Sequence, residues 1–402
     1  HFVTAPLSFL WVYGNLSVYM ESYFRFGCRS DCLTSDREWI LSVYMATSCP
    51  GILLTKMLTD RLGLKWTIVA GAGLVNLCLF GSVWTVQISQ ACTTFLLGCV
   101  LGLANGLTQT ACFQYVTAWA PDKSAILMAT TTAASTTLSV VQNQVITTIV
   151  NPENVRPDVV EGSRTYFSQK NVLDKVPVAF VTYAGVAFSS LQATLYMDDM
   201  NSPSTTHTEL EPTDKSLKPV EALKTPVFYA LYLFVLAIYY ALALKANFYK
   251  EFALLYIKND KYLTLCGSLV PVVASIARLV VGLSISNKVT TVKTAIVFSL
   301  SGNCVLLSFW YLAPQVSPAL YMVFILCLAA AQSLCYVLVP VACAEVFGRT
   351  HFSTNYGLAL SSLLLLGFLA PLVISSLMQT LGWQWIFQSS SMMCAVALVL
   401  VV

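Results

Sequence analysis

Charged residues are scarce in this sequence. Asp, Glu, Lys and Arg make up 10% of the 402 residues, whereas ordinary soluble proteins contain about 25%. Hydrophobic residues make up 57% of the chain, and the mean hydropathy is +0.71. This composition excludes an ordinary soluble protein and indicates a polytopic membrane protein. The formal net charge of +3 is small and spread over many loops, so it indicates no nucleic-acid partner.

Histidine is rarer still, and sequence patterns typical of enzymes are absent. The three histidines, His1, His207 and His351, lie far apart in the sequence and predict no metal site. None of them falls in an apolar segment, and there is no nucleophile–base–acid set, GxGxxG motif or phosphate-binding loop. The sequence therefore predicts no enzyme activity, no cofactor and no bound metal.

Cysteine, in contrast, is frequent. Of the 13 cysteines, all but Cys28 and Cys32 lie in apolar segments, where a free cysteine behaves as a small buried hydrophobe. Cys28 and Cys32 lie in a polar stretch. Their spacing is compatible with a disulfide if that loop is extracellular, and equally with two free thiols.

Long apolar runs dominate the chain. A membrane-spanning helix needs about 20 apolar residues, and the sequence predicts such helices at 2–19, 39–58, 66–86, 91–115, 124–150, 176–197, 226–246, 262–286, 294–312, 319–341, 356–378 and 383–402. Residues 198–224, between the sixth and seventh, are polar and rich in Pro, Ser and Thr, which is typical of a flexible linker. We predict an all-α membrane protein with twelve transmembrane helices, in which six-helix bundles at 1–197 and 225–402 flank this linker. Such a division is typical of transporters built from two parallel repeats.

A loop motif connects this pattern to a known family. The stretch TDRLGLKW follows the second predicted helix and resembles the Asp-Arg-x-Gly signature of major facilitator superfamily transporters, carried here by Asp60, Arg61, Gly63 and Lys65. Gly63 permits a tight turn, and we expect Asp60 and Arg61 to latch helix ends in one state of the transport cycle. The corresponding loop of the second half, SNKVTTVK, lacks the acid and the first base. The resemblance implies the major facilitator fold, with two six-helix bundles around a central cavity.

The resemblance also implies that the linker is cytoplasmic. Positive charges do not decide the orientation, because ten basic residues fall on each predicted face. We expect an integral multi-pass protein surrounded by membrane lipid, and we prefer the plasma membrane to an organelle membrane.

Three stretches are similar to one branch of this superfamily, the oxalate/formate antiporters and monocarboxylate transporters. They are WAPDKSA at 119–125, the region FYKEFALLYIKNDKYLTLCGSLVPVVASIARLVVGL at 248–283, and AEVFGRTHFSTNYGLA at 344–359. The resemblance implies that Arg278 is the branch's carboxylate-binding arginine of the eighth helix.

The cost of burying Arg278 leads to the same hypothesis. It is the only charged residue of the eighth predicted helix, it remains protonated, and a charge near the centre of an apolar segment costs at least about 2.5 kcal/mol. We expect it to lie in a watery cavity and to pair with a substrate carboxylate, which suits the guanidinium fork. In the alternative interpretation, Arg278 snorkels or donates to backbone carbonyls of a neighbouring helix.

Two departures from the branch narrow this expectation. Oxalate carriers have a lysine in the eleventh helix where this chain has Leu363, and proton-coupled monocarboxylate carriers have an acid where it has Ala274. A single fixed cation favours a monocarboxylate, and either a proton or a counter-anion remains a possible coupling partner. We interpret Glu21 and Glu251 as solvated charges at loop edges and Lys245 as a snorkelling side chain.

Polar side chains within the apolar segments are candidates for the rest of the site. We predict that Tyr13, Gln109, Gln144, Tyr240 and Tyr336 shape the pocket around Arg278, although such residues can equally bridge helices. The predicted function is alternating-access transport of a small organic anion. Two alternatives stay open: a carrier of neutral or zwitterionic solutes such as amino acids or nucleosides, and a non-transporting sensor or assembly subunit with the same fold.

Overall fold

A bundle of long helices accounts for most of the chain. The structure, a computed structural model, describes residues 8–28, 38–119, 123–161, 164–195, 216–348 and 350–401. Nine helices in these residues are long and apolar enough to cross a membrane. Three further helices, the first, fifth and sixth below, bring the described bundle to twelve. Each of the twelve predicted segments corresponds to one of them.

The helices are numbered α1 to α12. The N-terminal half contains α1 (Phe9–Ser22), α2 (Glu38–Leu62), α3 (Leu64–Ile88), α4 (Gln90–Thr93, then π-helical Thr94–Val100 and α-helical Leu101–Trp119), α5 (Ser124–Val150) and α6 (Val176–Leu195). The C-terminal half contains α7 (Pro226–Leu254), α8 (Asp260–Ser286), α9 (Val292–Trp310), α10 (Pro318–Ser333 and Cys335–Phe347), α11 (Phe352–Ala359 and Ser362–Thr380) and α12 (Trp383–Val401). Shorter elements are a π-helical turn (Tyr23–Gly27) and three single turns (Lys170–Leu173, Pro219–Ala222 and Ala313–Val316).

Local sequence signals set several helix ends. Gly63 separates α2 from α3 with φ +79°, a backbone conformation that glycine adopts without strain. In the C-terminal half, α7 begins with Pro226 after Thr225, whose hydroxyl accepts a hydrogen bond from the Phe228 amide. Asn259 caps α8 in the same way through the Tyr262 amide. Such caps satisfy backbone N–H groups that a helix leaves without intrahelical partners.

A small sheet was not anticipated by the all-α prediction. Between α5 and α6, strands β1 (Val159–Glu161) and β2 (Arg164–Tyr166) form an antiparallel hairpin in which Val159 pairs with Tyr166. The following residue, Phe167, is fully buried. Its ring lies 5.5 Å from that of Tyr19 in α1. We call this the hairpin end of the bundle, and the opposite end, which contains the α2–α3 turn and residues 216–225, the linker end.

The two halves contact each other mainly through α5 with α8, α2 with α11, and α1 with α7. Glycines lie at these crossings: a Cβ on Gly282 of α8 would lie 2.8 Å from the Cβ of Ala129 in α5, and one on Gly14 of α1 would meet the Ala246 carbonyl of α7. Small residues allow helices in membranes to approach closely. Large apolar side chains such as Leu77 and Phe298 face outward and are 70% and 68% exposed, as a surface surrounded by lipid requires.

Candidate functional site

A cavity of about 50 Å³ lies between the two halves. Such a volume holds a few water molecules. From the N-terminal half it is lined by Leu10, Trp11, Tyr44, Met45, Ser48, Ile52, Asn105, Gly106, Gln109 and Thr132. From the C-terminal half it is lined by Tyr239, Arg278, Tyr336, Tyr356, Leu360 and Leu363. Because both halves supply its walls, any rocking of one half against the other changes its shape.

Arg278 is the charged group of this cavity and is only 1% exposed. Its Nε donates to the Ala274 carbonyl at 3.0 Å, Nη1 to the Thr132 carbonyl at 2.7 Å, and Nη2 to Thr136 Oγ1 at 2.8 Å. The snorkelling alternative is wrong, whereas donation to a carbonyl of a neighbouring helix does occur. A guanidinium has five N–H donors, so two remain beyond these bonds. Among the described residues, no carboxylate pairs with Arg278.

Aromatic rings surround the guanidinium. Its central carbon lies 5.5 Å from the ring centroid of Trp11 and 5.6 Å from that of Tyr336. The Tyr336 ring in turn lies 6.1 Å from Trp11 and 5.9 Å from Tyr239. Cation–π contacts at such distances contribute about 0.5–2 kcal/mol. They partly offset the burial of Arg278 without neutralising its charge.

Only some of the predicted pocket residues lie at the cavity. Gln109 and Tyr336 line it together with Arg278. Tyr13 is buried with its ring 5.4 Å from Phe9 and does not line the cavity. Gln144 donates to Ser268 Oγ at 2.9 Å, and the Tyr240 hydroxyl lies 3.0 Å from Ser389 Oγ. Gln144 and Tyr240 therefore bridge pairs of helices away from the cavity.

The prediction of Tyr240 as a pocket residue missed by one position, because its neighbour Tyr239 lines the cavity instead. Tyr239 faces the cavity and Tyr240 faces α12, because successive residues of a helix point about 100° apart. Trp11 and Thr132 were missed as well. A tryptophan in an apolar run carries no sequence signal of its own, and Thr132 acts on Arg278 through its backbone carbonyl.

Lys245 is also in the interior, so the snorkelling interpretation is wrong. It is 4% exposed, and its Nζ lies 5.5 Å from the Trp11 ring centroid. Nζ has no hydrogen-bond partner among the described residues. Lys245 lines a second cavity of about 20 Å³ with Gly14, Tyr249 and, as in the first cavity, Trp11. The described centre of the bundle therefore contains a second buried basic side chain besides Arg278.

A buried polar network closes the hairpin end. Lys250 Nζ lies 2.7 Å from Asp260 Oδ1, and both residues are buried. Nζ also donates to Asn15 Oδ1 at 2.7 Å and to the Tyr19 hydroxyl at 3.1 Å. Tyr19 and Asn151 donate to Asp260 Oδ2 at 2.5 and 2.9 Å. Lys250 and Asp260 belong to the C-terminal half and the other three to the N-terminal half, so this network joins the halves.

The acids interpreted as solvated loop charges are buried instead. Glu21 is 6% exposed and Glu251 is 2% exposed. The hydroxyl of Tyr166, in the hairpin, lies 3.5 Å from Glu21 Oε1. Their burial follows from two features that the hydropathy pattern did not reveal: α7 continues to Leu254, and the hairpin covers the end of α1.

The motif loop lies at the linker end. Asp60 and Arg61 are exposed, and Lys65 is half-buried. Within the described part of the chain, neither Asp60 nor Arg61 forms an ion pair in this conformation, so the expected latch is not seen here.

At the opposite end, Cys28 is disulfide-bonded, and Cys32 lies outside the described residues. Among the described residues, no group of three or more His, Cys, Asp or Glu could hold a metal ion.

Comparisons with known proteins identify the family. The family model described as Major Facilitator Superfamily matches residues 35–371. The chain belongs to the major facilitator superfamily. This superfamily fold is that of a secondary transporter, an integral multi-pass membrane protein rather than an enzyme. The match does not reach the level of the oxalate and monocarboxylate branch.

A solved structure supports the same fold. The proton:xylose symporter XylE bound to 6-bromo-6-deoxy-D-glucose matches with a TM-score of 0.71 and 12% sequence identity, covering 99% of this chain and 93% of that one. At this identity the similarity concerns the fold alone. No curated protein matches the chain.

Proposed function

We propose that this protein transports a small organic anion by alternating access and that Arg278 binds the carboxylate of the substrate. The observation that carries the proposal is a guanidinium at 1% exposure that lines the cavity between the halves and has no carboxylate partner among the described residues. A buried charge without a counter-charge is costly in a membrane. A substrate carboxylate offsets that cost and accepts hydrogen bonds from the two N–H groups of Arg278 that remain free of such bonds.

Carboxylate binding would also alter the contact between the halves. Arg278 lies in α8, and its bonds to the Thr132 carbonyl and to Thr136 Oγ1 cross to α5. The Ser275 hydroxyl reinforces this crossing at 2.6 Å from Thr136 Oγ1. A carboxylate bound to the two remaining N–H groups draws the guanidinium towards the cavity and thereby weakens these bonds. The substrate would thereby change the relative stability of two conformations. A ligand can do so only if it binds one of the two conformations more tightly than the other.

The closed end suggests the direction in which the cavity opens from this conformation. The network of Lys250 and Asp260 seals the hairpin end, whereas the cavity wall includes Tyr356 and Leu360 from the start of α11 at the linker end. We propose that the linker end opens first. If the linker is cytoplasmic, as the resemblance implies, this conformation leads towards the inward-open state.

The preference for a monocarboxylate depended on Arg278 being the only fixed cation. Because Lys245 is also buried beside Trp11, we propose an organic anion as the substrate class without restricting it to one carboxylate. A proton or a counter-anion remains the proposed coupling partner.

A second candidate is a neutral hydroxylated or amide-bearing solute. The cavity wall contains the amides of Asn105 and Gln109 and the phenols of Tyr44, Tyr239 and Tyr356, which can bind hydroxyl groups. This candidate leaves Arg278 without a partner, and we therefore rank it second.

Uptake into proteoliposomes separates these candidates. Pyruvate, butyrate and succinate are each compared with their methyl esters, using the wild type, Arg278→Gln and the matched control Arg156→Gln, which replaces an exposed arginine. We expect the wild type and Arg156→Gln to take up at least one free acid and to discriminate against its ester, and Arg278→Gln to lose this uptake by at least about 100-fold. Equal uptake of acid and ester above the level of protein-free liposomes, or full activity of Arg278→Gln, would contradict the proposal.

A further inference from the structure

We propose that Lys245 forms a second anion-binding group beside Trp11 and that the substrate carries two negative groups, one for Arg278 and one for Lys245. This inference rests on the proposed function, because it assumes that Arg278 binds a carboxylate. It concerns a residue of α7 that neither the loop motif nor the branch resemblance singled out.

The geometry makes the two cations neighbours. Lys245 Nζ and the central carbon of the Arg278 guanidinium each lie 5.5 Å from the centroid of the Trp11 ring. The two charges are therefore separated by at most twice that distance. Leu10 and Trp11 line both the cavity of Arg278 and that of Lys245. The two cavities adjoin at these side chains, and a movement of Trp11 would join them into one.

The environment of Lys245 differs from that of a structural lysine. Lys250, little more than one helical turn further along α7, is paired with Asp260 and bonded to Asn15 and Tyr19. Lys245 is also buried, but its Nζ has no hydrogen-bond partner among the described residues. A buried ammonium without partners destabilises the fold. Such a group is expected at a site where a ligand supplies the missing acceptor.

Charge balance then defines the ligand. With Lys245 protonated, the central region contains two positive charges, and no carboxylate of the described residues pairs with either. A monoanion neutralises one of them, whereas a ligand with two anionic groups neutralises both. Because charge-assisted contacts to carboxylate oxygens have lengths of about 2.7–2.9 Å and the cations lie so close together, the ligand has to be short. A short dicarboxylate such as malonate or succinate fits this description.

The test compares matched acids that differ by one carboxylate. Succinate and butyrate have the same number of carbons, as do malonate and propionate. Affinities are measured by titration of the purified protein, with ligand-induced thermal stabilisation as the readout. We expect the wild type to bind the dicarboxylate of at least one pair about tenfold more tightly than its partner, which corresponds to about 1.4 kcal/mol.

Variants at position 245 attribute this preference to its charge. In Lys245→Met we expect dicarboxylate affinity to fall about tenfold and monocarboxylate affinity to change by less than about twofold, so the preference disappears. Lys245→Arg should retain the preference, and so should the control Lys258→Met, which removes an exposed lysine. A wild type that binds both acids of each pair equally, or a Lys245→Met variant that keeps the full preference, would overturn the inference.

The outcomes separate this inference from the proposed function. If monocarboxylates bind and Arg278→Gln abolishes that binding, but dicarboxylates bind no more tightly, then only the role of Lys245 is wrong. If no carboxylate binds to the wild type, or if Arg278→Gln binds as well as the wild type, the proposed function itself fails. The comparison within the wild type decides the question even if a variant at position 245 does not fold.

Discussion

Two regions of this protein bury positive charge in opposite ways. At the hairpin end, Lys250 is paired with Asp260 and surrounded by hydrogen-bonding side chains from both halves. In the centre, Arg278 and Lys245 border cavities and have no carboxylate partner among the described residues. A fully partnered ion pair fixes a conformation, whereas an unpartnered cation beside a cavity is suited to a ligand. The contrast suggests that the hairpin end is a gate and the centre is the binding site.

Removing the acid of the hairpin-end pair should have the largest effect. Asp260→Asn leaves the Lys250 charge buried without its counter-charge, which typically destabilises a protein by about 3–5 kcal/mol. We expect a clear fall in the thermal unfolding temperature in detergent. The matched control Asp174→Asn replaces an exposed acid and should unfold as the wild type does.

A double variant sharpens this prediction. Asp260→Leu combined with Lys250→Met removes both charges, and we expect it to recover most of the stability lost in Asp260→Asn, because well-packed apolar residues often replace a buried ion pair without loss. An Asp260→Asn variant as stable as the wild type would show that the pair is not the principal connection at this end.

The central region should respond in the opposite direction. Lys245→Met removes a buried basic group that has no hydrogen-bond partner among the described residues, so we expect the ligand-free protein to become more stable, by about 1–3 kcal/mol. The measurement is thermal unfolding in the absence of carboxylates, with Lys258→Met as the control. A loss of stability comparable to that of Asp260→Asn would erase the distinction between the two regions.

The smallest effect is expected when a single hydroxyl group is removed from the polar network at the hairpin end. Tyr19→Phe removes the bond to Asp260 Oδ2 and the acceptor for Lys250 while retaining the ring. Since Asn15 and Asn151 still contact the pair, we expect a loss of about 1–2 kcal/mol. Tyr229→Phe, at an exposed tyrosine, serves as the control. An effect as large as that of Asp260→Asn would mean that the network acts as one unit.

Much of the fold could be predicted from the sequence, because a run of apolar residues long enough to cross a membrane is a local property. The candidate Arg278 also stood out, since it is the one charge in a 25-residue apolar segment, and it is buried at the cavity. Lys245, Lys250 and Asp260 could not be assigned in this way. Hydropathy placed the end of α7 at residue 246, whereas the helix extends to Leu254.

The polar network at the hairpin end could not be predicted from the sequence either, because its members are far apart along the chain. Asn15 and Asn151 come from the other half of the chain: Asn15 lies 235 residues from Lys250, and Asn151 lies 109 residues from Asp260. No local pattern predicts such contacts. Likewise, the choice between Tyr239 and Tyr240 depends on the rotation of α7 against its neighbours, which is set by packing.

The most direct test of the account is the stabilisation of the purified protein by carboxylates with and without the Arg278 guanidinium. A ligand at about 100 times its Kd stabilises the folded state by about 2.7 kcal/mol. We predict a concentration-dependent rise in the unfolding temperature for the wild type and Arg156→Gln, and none for Arg278→Gln at the same concentrations. A rise of equal size in Arg278→Gln would contradict the assignment of Arg278 as the carboxylate-binding residue.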